Sequence, residues 1–232
     1  MSYLYVDIET LPSADPVEPV LPAAPDLDTI GAAGNLKDPD KIAASIADRR
    51  AKAVADYVAA KEAAKTTAID EWAKGSLDPL RGRIASIAWA HDGNPVRCMW
   101  ALDDLGAVLD AILADLTSPY GDQWVGHNVA GFDLRWLKLH ALRIKHPIAK
   151  SIPYQKWDKR VIDTMEAFAG PNPTQARMSQ ASLARFFGIA VDTDSGSEVR
   201  RLYEAGDIDA ILRHNAEDVE IVRKLHTIIR GL

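Results

Sequence analysis

The sequence predicts an α/β protein with a mixed β-sheet flanked by helices and a helical insertion after the first strand. Three observations predict this class. A β-branched and aromatic run opens the chain at Tyr3–Ile8. Two strand-like runs between Arg83 and Ala101 then form a hairpin pattern, and helical and strand-like segments alternate beyond it. In such folds, functional sites form at the carboxyl ends of the strands.

The insertion is predicted at about residues 13–78. Five prolines lie between Pro12 and Pro25, which favours an extended loop over Leu11–Asp40 because proline disrupts helices. Asp40–Lys74 is rich in alanine and charged residues and has few large apolar side chains. This pattern predicts one or two helices with a thin apolar stripe.

The hairpin strands are predicted at Arg83–Ala90 and Val96–Ala101, joined by a turn at Asp92-Gly93-Asn94. An amphipathic helix is predicted at Asp103–Leu116, and a short strand at Gln123–His127. The remaining predicted helices are Leu134–Leu142, Asp163–Phe168, Ser182–Phe187, Glu198–Ala205 and Ile208–Arg230.

Length and composition indicate one globular domain over residues 1–232, with 47% hydrophobic and 26% charged residues. No run approaches the roughly 18 apolar residues of a membrane span, and no basic-then-apolar leader opens the chain. We therefore expect a cytoplasmic protein without a membrane partner. The single cysteine, Cys98, excludes an internal disulfide and a cysteine-based metal site.

Two carboxylates lie at the carboxyl end of the first predicted strand. Asp7 and Glu9 are two residues apart, so an extended strand directs both to the same side. An Asp-x-Glu pair is common by itself, but charge at the end of a buried strand is costly and requires a reason.

Two further acids lie far along the chain. Asp133 begins a predicted helix, where a carboxylate also serves as an ordinary helix cap. Asp218 lies four residues after His214 in the last predicted helix, so the two side chains share one face. Such a pair is also commonplace on a helix surface.

Three motifs together resemble a known family. VDIETLP (Val6–Pro12), HNVAGFD (His127–Asp133) and HNAEDVEIV (His214–Val222) resemble, in order, the exonuclease motifs of the DEDD superfamily. The sequence is most similar to the exonuclease domain of family B DNA polymerases and its free-standing phage and bacterial relatives. Further resemblances are GRIASIAW (Gly82–Trp89), VIDTM (Val161–Met165), SLARFFGI (Ser182–Ile189) and DTDSGSEV (Asp192–Val199).

This resemblance implies a ribonuclease-H-like fold and a 3′-to-5′ exonuclease that releases 5′-mononucleotides from single-stranded DNA. Asp7, Glu9, Asp133 and Asp218 would hold two Mg²⁺ or Mn²⁺ ions. Asp7 would bridge the ions, Glu9 and Asp218 would hold the ion that activates water, and Asp133 would anchor the other, usually through water.

The resemblance also implies a set of substrate contacts. The backbone N–H groups near Thr10 and Leu11 would meet the terminal 3′-hydroxyl, and Leu11 would wedge against the last base. Asn128 and Phe132 would contact the terminal nucleotides.

His214 departs from the superfamily pattern, in which a tyrosine lies four residues before the last aspartate or a histidine lies five before it. Here His214 has the tyrosine spacing, and Arg213 lies five residues before Asp218. We expect His214 to act as general base toward the nucleophilic water, and the alternative is that it orients the water.

Nucleic acid is expected as the partner although the net charge is −6, because bound cations would neutralise the four carboxylates. Arg135–Arg160 contains eight basic residues and one acid, with Trp136, Tyr154 and Trp157 among them. Such a segment can hold phosphates while its aromatic rings stack on bases. A solvated helix followed by a loop is the alternative.

The sequence leaves several alternative functions open. An exonuclease acting on RNA or short oligonucleotides, a catalytically inactive nucleic-acid-binding module and a ribonuclease-H-like endonuclease all compete with the DNA exonuclease. Single-stranded DNA or a 3′ DNA end is the favoured partner, and a replication or repair partner and the oligomeric state are left open.

Overall fold

The computed structural model describes residues 2–118, 121–153, 155, 157–169, 178–191 and 198–231. The chain divides into two compact units. The sheet unit comprises Met1–Leu11 and Ser76–Leu232, and the insertion unit comprises Pro12–Gly75.

A five-stranded mixed sheet organises the sheet unit, with strand order β3-β2-β1-β4-β5. The strands are β1 (Tyr3–Leu11), β2 (Arg83–His91), β3 (Arg97–Trp100), β4 (Gln123–Gly126) and β5 (Val161–Asp163). β1–β2 and β2–β3 are antiparallel, whereas β1–β4 and β4–β5 are parallel. The predicted α/β class is confirmed, and the architecture is consistent with a ribonuclease-H-like fold.

The central strand β1 alternates its side chains between two apolar layers, as a period of two requires. Leu4, Val6 and Ile8 join the larger core cluster, in which Trp89, Trp124 and Trp136 are fully buried. Tyr5 faces a second cluster with Val219 and Val222. β1 is therefore covered on both faces, and polar side chains near its carboxyl end lie next to the core.

Six α-helices flank the sheet in the described part of this unit. They are α2 (Leu105–Asp115), α3 (Asp133–Arg143), α4 (Thr164–Ala169), α5 (Gln180–Phe186), α6 (Glu198–Glu204) and α7 (Ile208–Gly231). All correspond to predicted helices within a few residues. The strand β5 was not predicted, because three residues are too few to show a period. The helix predicted from Asp163 accordingly begins at Thr164, after β5 ends.

The insertion unit contains one long helix, α1 (Pro39–Ala73), in place of the predicted one or two. Asp38 caps it by accepting from the N–H of Asp40, and Pro39 occupies the first turn, where its missing N–H costs nothing. The preceding segment is irregular apart from a 3-10 helix at Leu27–Thr29. It runs back along α1, because the Trp72 indole donates to the Ser13 carbonyl oxygen at 3.0 Å.

Across the described residues, none of the helices combines the length and the apolar character needed to cross a bilayer. The cytoplasmic compartment remains a prediction.

Candidate active site

β1 extends beyond its pairing with β4, so the backbone next to Asp7 and Glu9 has no described strand partner along that edge. The parallel pairing of β1 with β4 runs only from Tyr3 to Tyr5, whereas its pairing with β2 continues to Leu11. Asp7 and Glu9 therefore lie on a stretch that is paired along one edge only. Asp7 is half-buried and Glu9 is buried.

Asp133 takes up the free edge of β1. Its Oδ1 accepts a hydrogen bond from the N–H of Ile8, between the two acids, at 3.1 Å. Asp133 is the first residue of α3 and is 3% exposed, and the residue before it, Phe132, makes no side-chain cap. Asp133 thus contacts β1 and does not serve as a simple surface cap.

The turn between β4 and α3, which leads to Asp133, requires an unusual backbone conformation. Gly126 ends β4, and a Cβ there would lie 2.6 Å from the Val129 side chain, so a larger residue would displace the turn. Asn128 has a φ of 57°, a left-handed conformation that asparagine tolerates better than most residues.

Asp163, to which sequence reasoning assigned no role, holds this turn. Its carboxylate accepts from the N–H groups of Asn128 at 2.9 Å and Ala130 at 3.2 Å, and from the N–H of Met165 at 3.0 Å. Burial raises the pKa of Asp163. The signal that could have found it is a charged residue at the end of the apolar run VID, the same signal that singled out Asp7.

α7 brings the last two predicted residues to β1. His214 Nε2 lies 3.6 Å from Asp218 Oδ2 and 3.5 Å from Glu9 Oε1. The helical spacing of four residues thus places both side chains on the face that meets the carboxyl end of β1. His214 is buried, and the Asp218 side chain is 25% exposed.

Two amides that the sequence did not single out contact the acids. Asn215, fully buried on α7, donates from Nδ2 to Asp7 Oδ2 at 3.4 Å, and its Oδ1 lies 3.7 Å from the Cys98 thiol. Gln180, at the start of α5, donates to Asp218 Oδ1 at 2.7 Å. Asn215 adjoins His214 within the third motif, whereas no local pattern distinguishes Gln180.

The four acids share one electrostatic environment. Burial, followed by the charges of Asp133, Asp218 and Glu9, raises the pKa of Asp7 well above its ordinary value. Burial and the charges of Asp218 and Asp133 raise the pKa of Glu9 in the same way. Burial raises the pKa of Asp133 to about 8 even though the Ile8 N–H opposes it. Without a cation the cluster is therefore electrostatically unfavourable.

Asp218 is the least perturbed of the four. Burial raises its pKa to about 6, and the neighbouring His214 partly offsets that effect. Asp218 is thus the member of the cluster that most readily carries charge at neutral pH.

The donor set fits divalent cations. Glu9, His214 and Asp218 each offer one ligand atom, and these atoms lie within 4.8 Å of one another. Carboxylate oxygens are the ligands that Mg²⁺ and Mn²⁺ prefer. Asp7 and Asp133 approach the same cluster from β1 and α3, since both interact electrostatically with Asp218. Bound cations would favour the ionised carboxylates and so oppose the burial and the repulsion that raise these pKa values.

The predicted substrate contacts of Thr10, Asn128 and Phe132 stay predictions. The hydroxyl of Thr10 donates to the Ser76 carbonyl oxygen at 2.6 Å. Asn128 lies in the turn before α3, and Phe132 is half-buried with its ring centroid 5.7 Å from that of Trp136.

The expected wedge at Leu11 does not fit this structure. Leu11 is 1% exposed and packs with Ala85, Val199 and Ile211 in an apolar cluster. Its side chain therefore offers no surface to a terminal base. The pairing of β1 with β2 shifts register between Glu9 and Thr10, just before Leu11, and sequence patterns did not reveal this irregularity.

The basic segment Arg135–Arg160 is only partly available to a nucleic acid. Trp136 is fully buried in the core, so the prediction that its ring stacks on bases is wrong. Lys138 is also engaged, because its ammonium donates to the carbonyl oxygens of Ala149 and Ile152.

Arg160 is likewise occupied, because it pairs with Asp158 at 2.7 Å. Trp157 is 78% exposed. Tyr154 and Lys156 lie outside the described residues, as does most of the DTDSGSEV segment. Among its described residues, the exposed basic ones are Arg135, Arg143, Lys145, Lys150 and Lys159.

No protein-family model matches this sequence, and no curated protein is significantly similar to it.

Proposed function

We propose that the protein is a two-metal-ion 3′-to-5′ exonuclease that hydrolyses phosphodiester bonds from the 3′ end of single-stranded DNA. One observation carries the proposal. Four carboxylates, from β1, α3 and α7, converge at the carboxyl end of the central strand, where burial raises the pKa of each and the charges of neighbouring members raise those of Asp7, Glu9 and Asp133 further. Such an arrangement costs stability unless it holds cations.

The three motifs support the same function, since each supplies part of the cluster. Asp7 and Glu9 belong to the first motif, Asp133 ends the second, and Asp218 lies in the third. In the proposed site these acids hold Mg²⁺ or Mn²⁺. When bound, two such cations stabilise the attacking and departing oxygens of an in-line phosphoryl displacement.

The protein's own residues supply the remaining chemistry. His214 faces Glu9 and Asp218, where it accepts the proton of the attacking water or orients that water. Asn215 orients the Asp7 carboxylate by donating to its Oδ2. Exposed Trp157 and Lys159 offer a stacking surface and positive charge to a single strand.

Degradation of 5′-labelled single-stranded DNA in the presence of Mn²⁺ tests the proposal. We expect the native protein to produce a descending ladder and Asp7→Ala to lose about 10³-fold or more in rate, because metal ions stabilise the transition state by several kcal/mol. Asp110→Ala is the matched control, since that carboxylate lies on α2 and is 73% exposed. It should leave the ladder unchanged.

Two further substrates separate the alternatives. A circular single strand has no 3′ end and should stay intact, and its cleavage would indicate an endonuclease. A labelled RNA of the same sequence tests whether the protein prefers DNA or RNA. If native protein degrades neither DNA nor RNA, the proposed exonuclease is wrong and an inactive nucleic-acid-binding module becomes the better description.

A further inference from the structure

Gln180 makes two hydrogen bonds to a single residue on another helix. Its Nε2 donates to Asp218 Oδ1 at 2.7 Å and to the Asp218 main-chain carbonyl oxygen at 3.1 Å. Gln180 is the first residue of α5, whereas Asp218 lies in the middle of α7. Both bonds come from one amide group, so they fix the direction of that amide as well as its distance.

The two carboxylate oxygens of Asp218 therefore have different surroundings. Oδ1 is held by Gln180, while Oδ2 faces the cluster, 3.6 Å from His214 Nε2. The amide is neutral, so it restricts rotation of the carboxylate without neutralising its charge. Oδ2 is therefore the oxygen left for a cation.

The helix that carries Gln180 is anchored independently of this contact. Leu183 and Ala184 of α5 pack against Ile221 and Leu225 of α7 in one buried cluster. Ser179 caps α5 by accepting from the N–H of Ser182. Because the packing holds α5 against α7, the amide of Gln180 is positioned before any ligand arrives.

We propose that Gln180 is a positioning residue of the metal site, which orients Asp218 so that Oδ2 is its ligand oxygen. The inference rests on the proposed function, because it assumes that Asp218 binds a cation. Groups that hydrogen-bond to metal ligands matter to affinity, and their loss typically costs about 10- to 100-fold in metal binding or activity.

Calorimetric titration of the full chain with Mn²⁺ tests this role directly. Gln180→Met keeps the length of the side chain and removes both hydrogen bonds. We expect it to bind Mn²⁺ about 10- to 100-fold more weakly than the native protein. Gln123→Met is the matched control, because the Gln123 amide also donates to a main-chain carbonyl, that of Lys159 at 3.0 Å, but lies at the opposite end of the sheet.

A thermal melt without metal accompanies the titration. Gln180 is half-buried, so its substitution should lower Tm no more than Gln123→Met does. Equal Mn²⁺ affinity in the native protein and Gln180→Met would overturn the positioning role. An equal loss of affinity in Gln123→Met would also overturn it, since the effect would then not be local.

The same titration separates this inference from the proposed function. If the native protein binds Mn²⁺ but degrades no nucleic acid, the exonuclease proposal fails while the affinity ratio still decides the role of Gln180. If the native protein does not bind Mn²⁺, both are wrong.

Discussion

At the scale of one residue, Asp133 shows why the cluster of four carboxylates is costly without a bound cation. It is almost fully buried, it accepts the Ile8 N–H, and it lies near the charges of Asp163 and Asp218. Burial and those charges favour the protonated carboxyl, whereas the N–H favours the ionised form. Burial dominates, which is why the pKa of Asp133 is raised to about 8.

This balance makes the metal-free protein less stable as pH rises. Unfolded, Asp133 loses its proton near pH 4, whereas folded it keeps the proton until about pH 8. Between these values the folded state binds more protons, so stability falls with increasing pH, by at most about 1.4 kcal/mol per pH unit for one group. Asp133→Asn cannot titrate, so its stability relative to the native protein should increase from about pH 4 to 8 and then level off.

Urea unfolding at several pH values in EDTA measures this difference. Because the Asp133 charge also raises the pKa values of Asp7 and Glu9, the difference between the two proteins reports Asp133 together with its effect on those two carboxylates. Saturating Mg²⁺ should reduce the decline of the native protein, because the cation binds only the folded cluster. Stability curves that stay parallel across the whole range would show that Asp133 carries its charge without penalty.

At the scale of elements, α7 connects the site to the core. One face of this helix supplies His214, Asn215 and Asp218, and its buried apolar residues pack on the sheet and on α5. The site therefore depends on how firmly α5 and α7 are held together.

Substitution of Leu225 tests how much the packing of α5 against α7 contributes to stability. It is fully buried between α7 and α5, so Leu225→Ala should lower the free energy of unfolding by about 2–5 kcal/mol. Leu142→Ala removes the same atoms from a helix position that is 53% exposed, and it should change stability by no more than about 0.5 kcal/mol. Equal effects of the two substitutions in urea unfolding would mean that the α5–α7 packing contributes little.

At the scale of the whole molecule, the insertion unit interrupts the sheet unit between Leu11 and Ser76. All four buried apolar clusters of the described residues consist of sheet-unit side chains. The two ends of the interruption also lie close together, because Thr10 donates to the Ser76 carbonyl oxygen.

Replacement of Pro12–Gly75 by a short Gly-Ser linker should therefore leave the sheet unit folded. A short loop closes these ends at little entropic cost. We expect a cooperative thermal transition and Mn²⁺ affinity within a few-fold of the native protein, measured by calorimetry. Aggregation, or loss of the transition, would instead show that the insertion unit is required for the sheet unit to fold.

Sequence alone determined the fold class and the order of nearly all elements, because hydrophobic periodicity, proline positions and turn residues act locally. It also singled out the four acids and His214, since motif spacing is visible along the chain. Local patterns are too weak for short elements, which explains why the three-residue strand β5 was missed.

Tertiary structure decided what depends on residues far apart in the chain. The contacts of Gln180 with Asp218, of Asn215 with Asp7 and of Asp163 with the turn before Asp133 join separate segments, and no local pattern encodes such distances. Burial of Leu11 and Trp136 was likewise decided by packing, because an apolar side chain in the sequence is equally suited to a core and to a ligand surface.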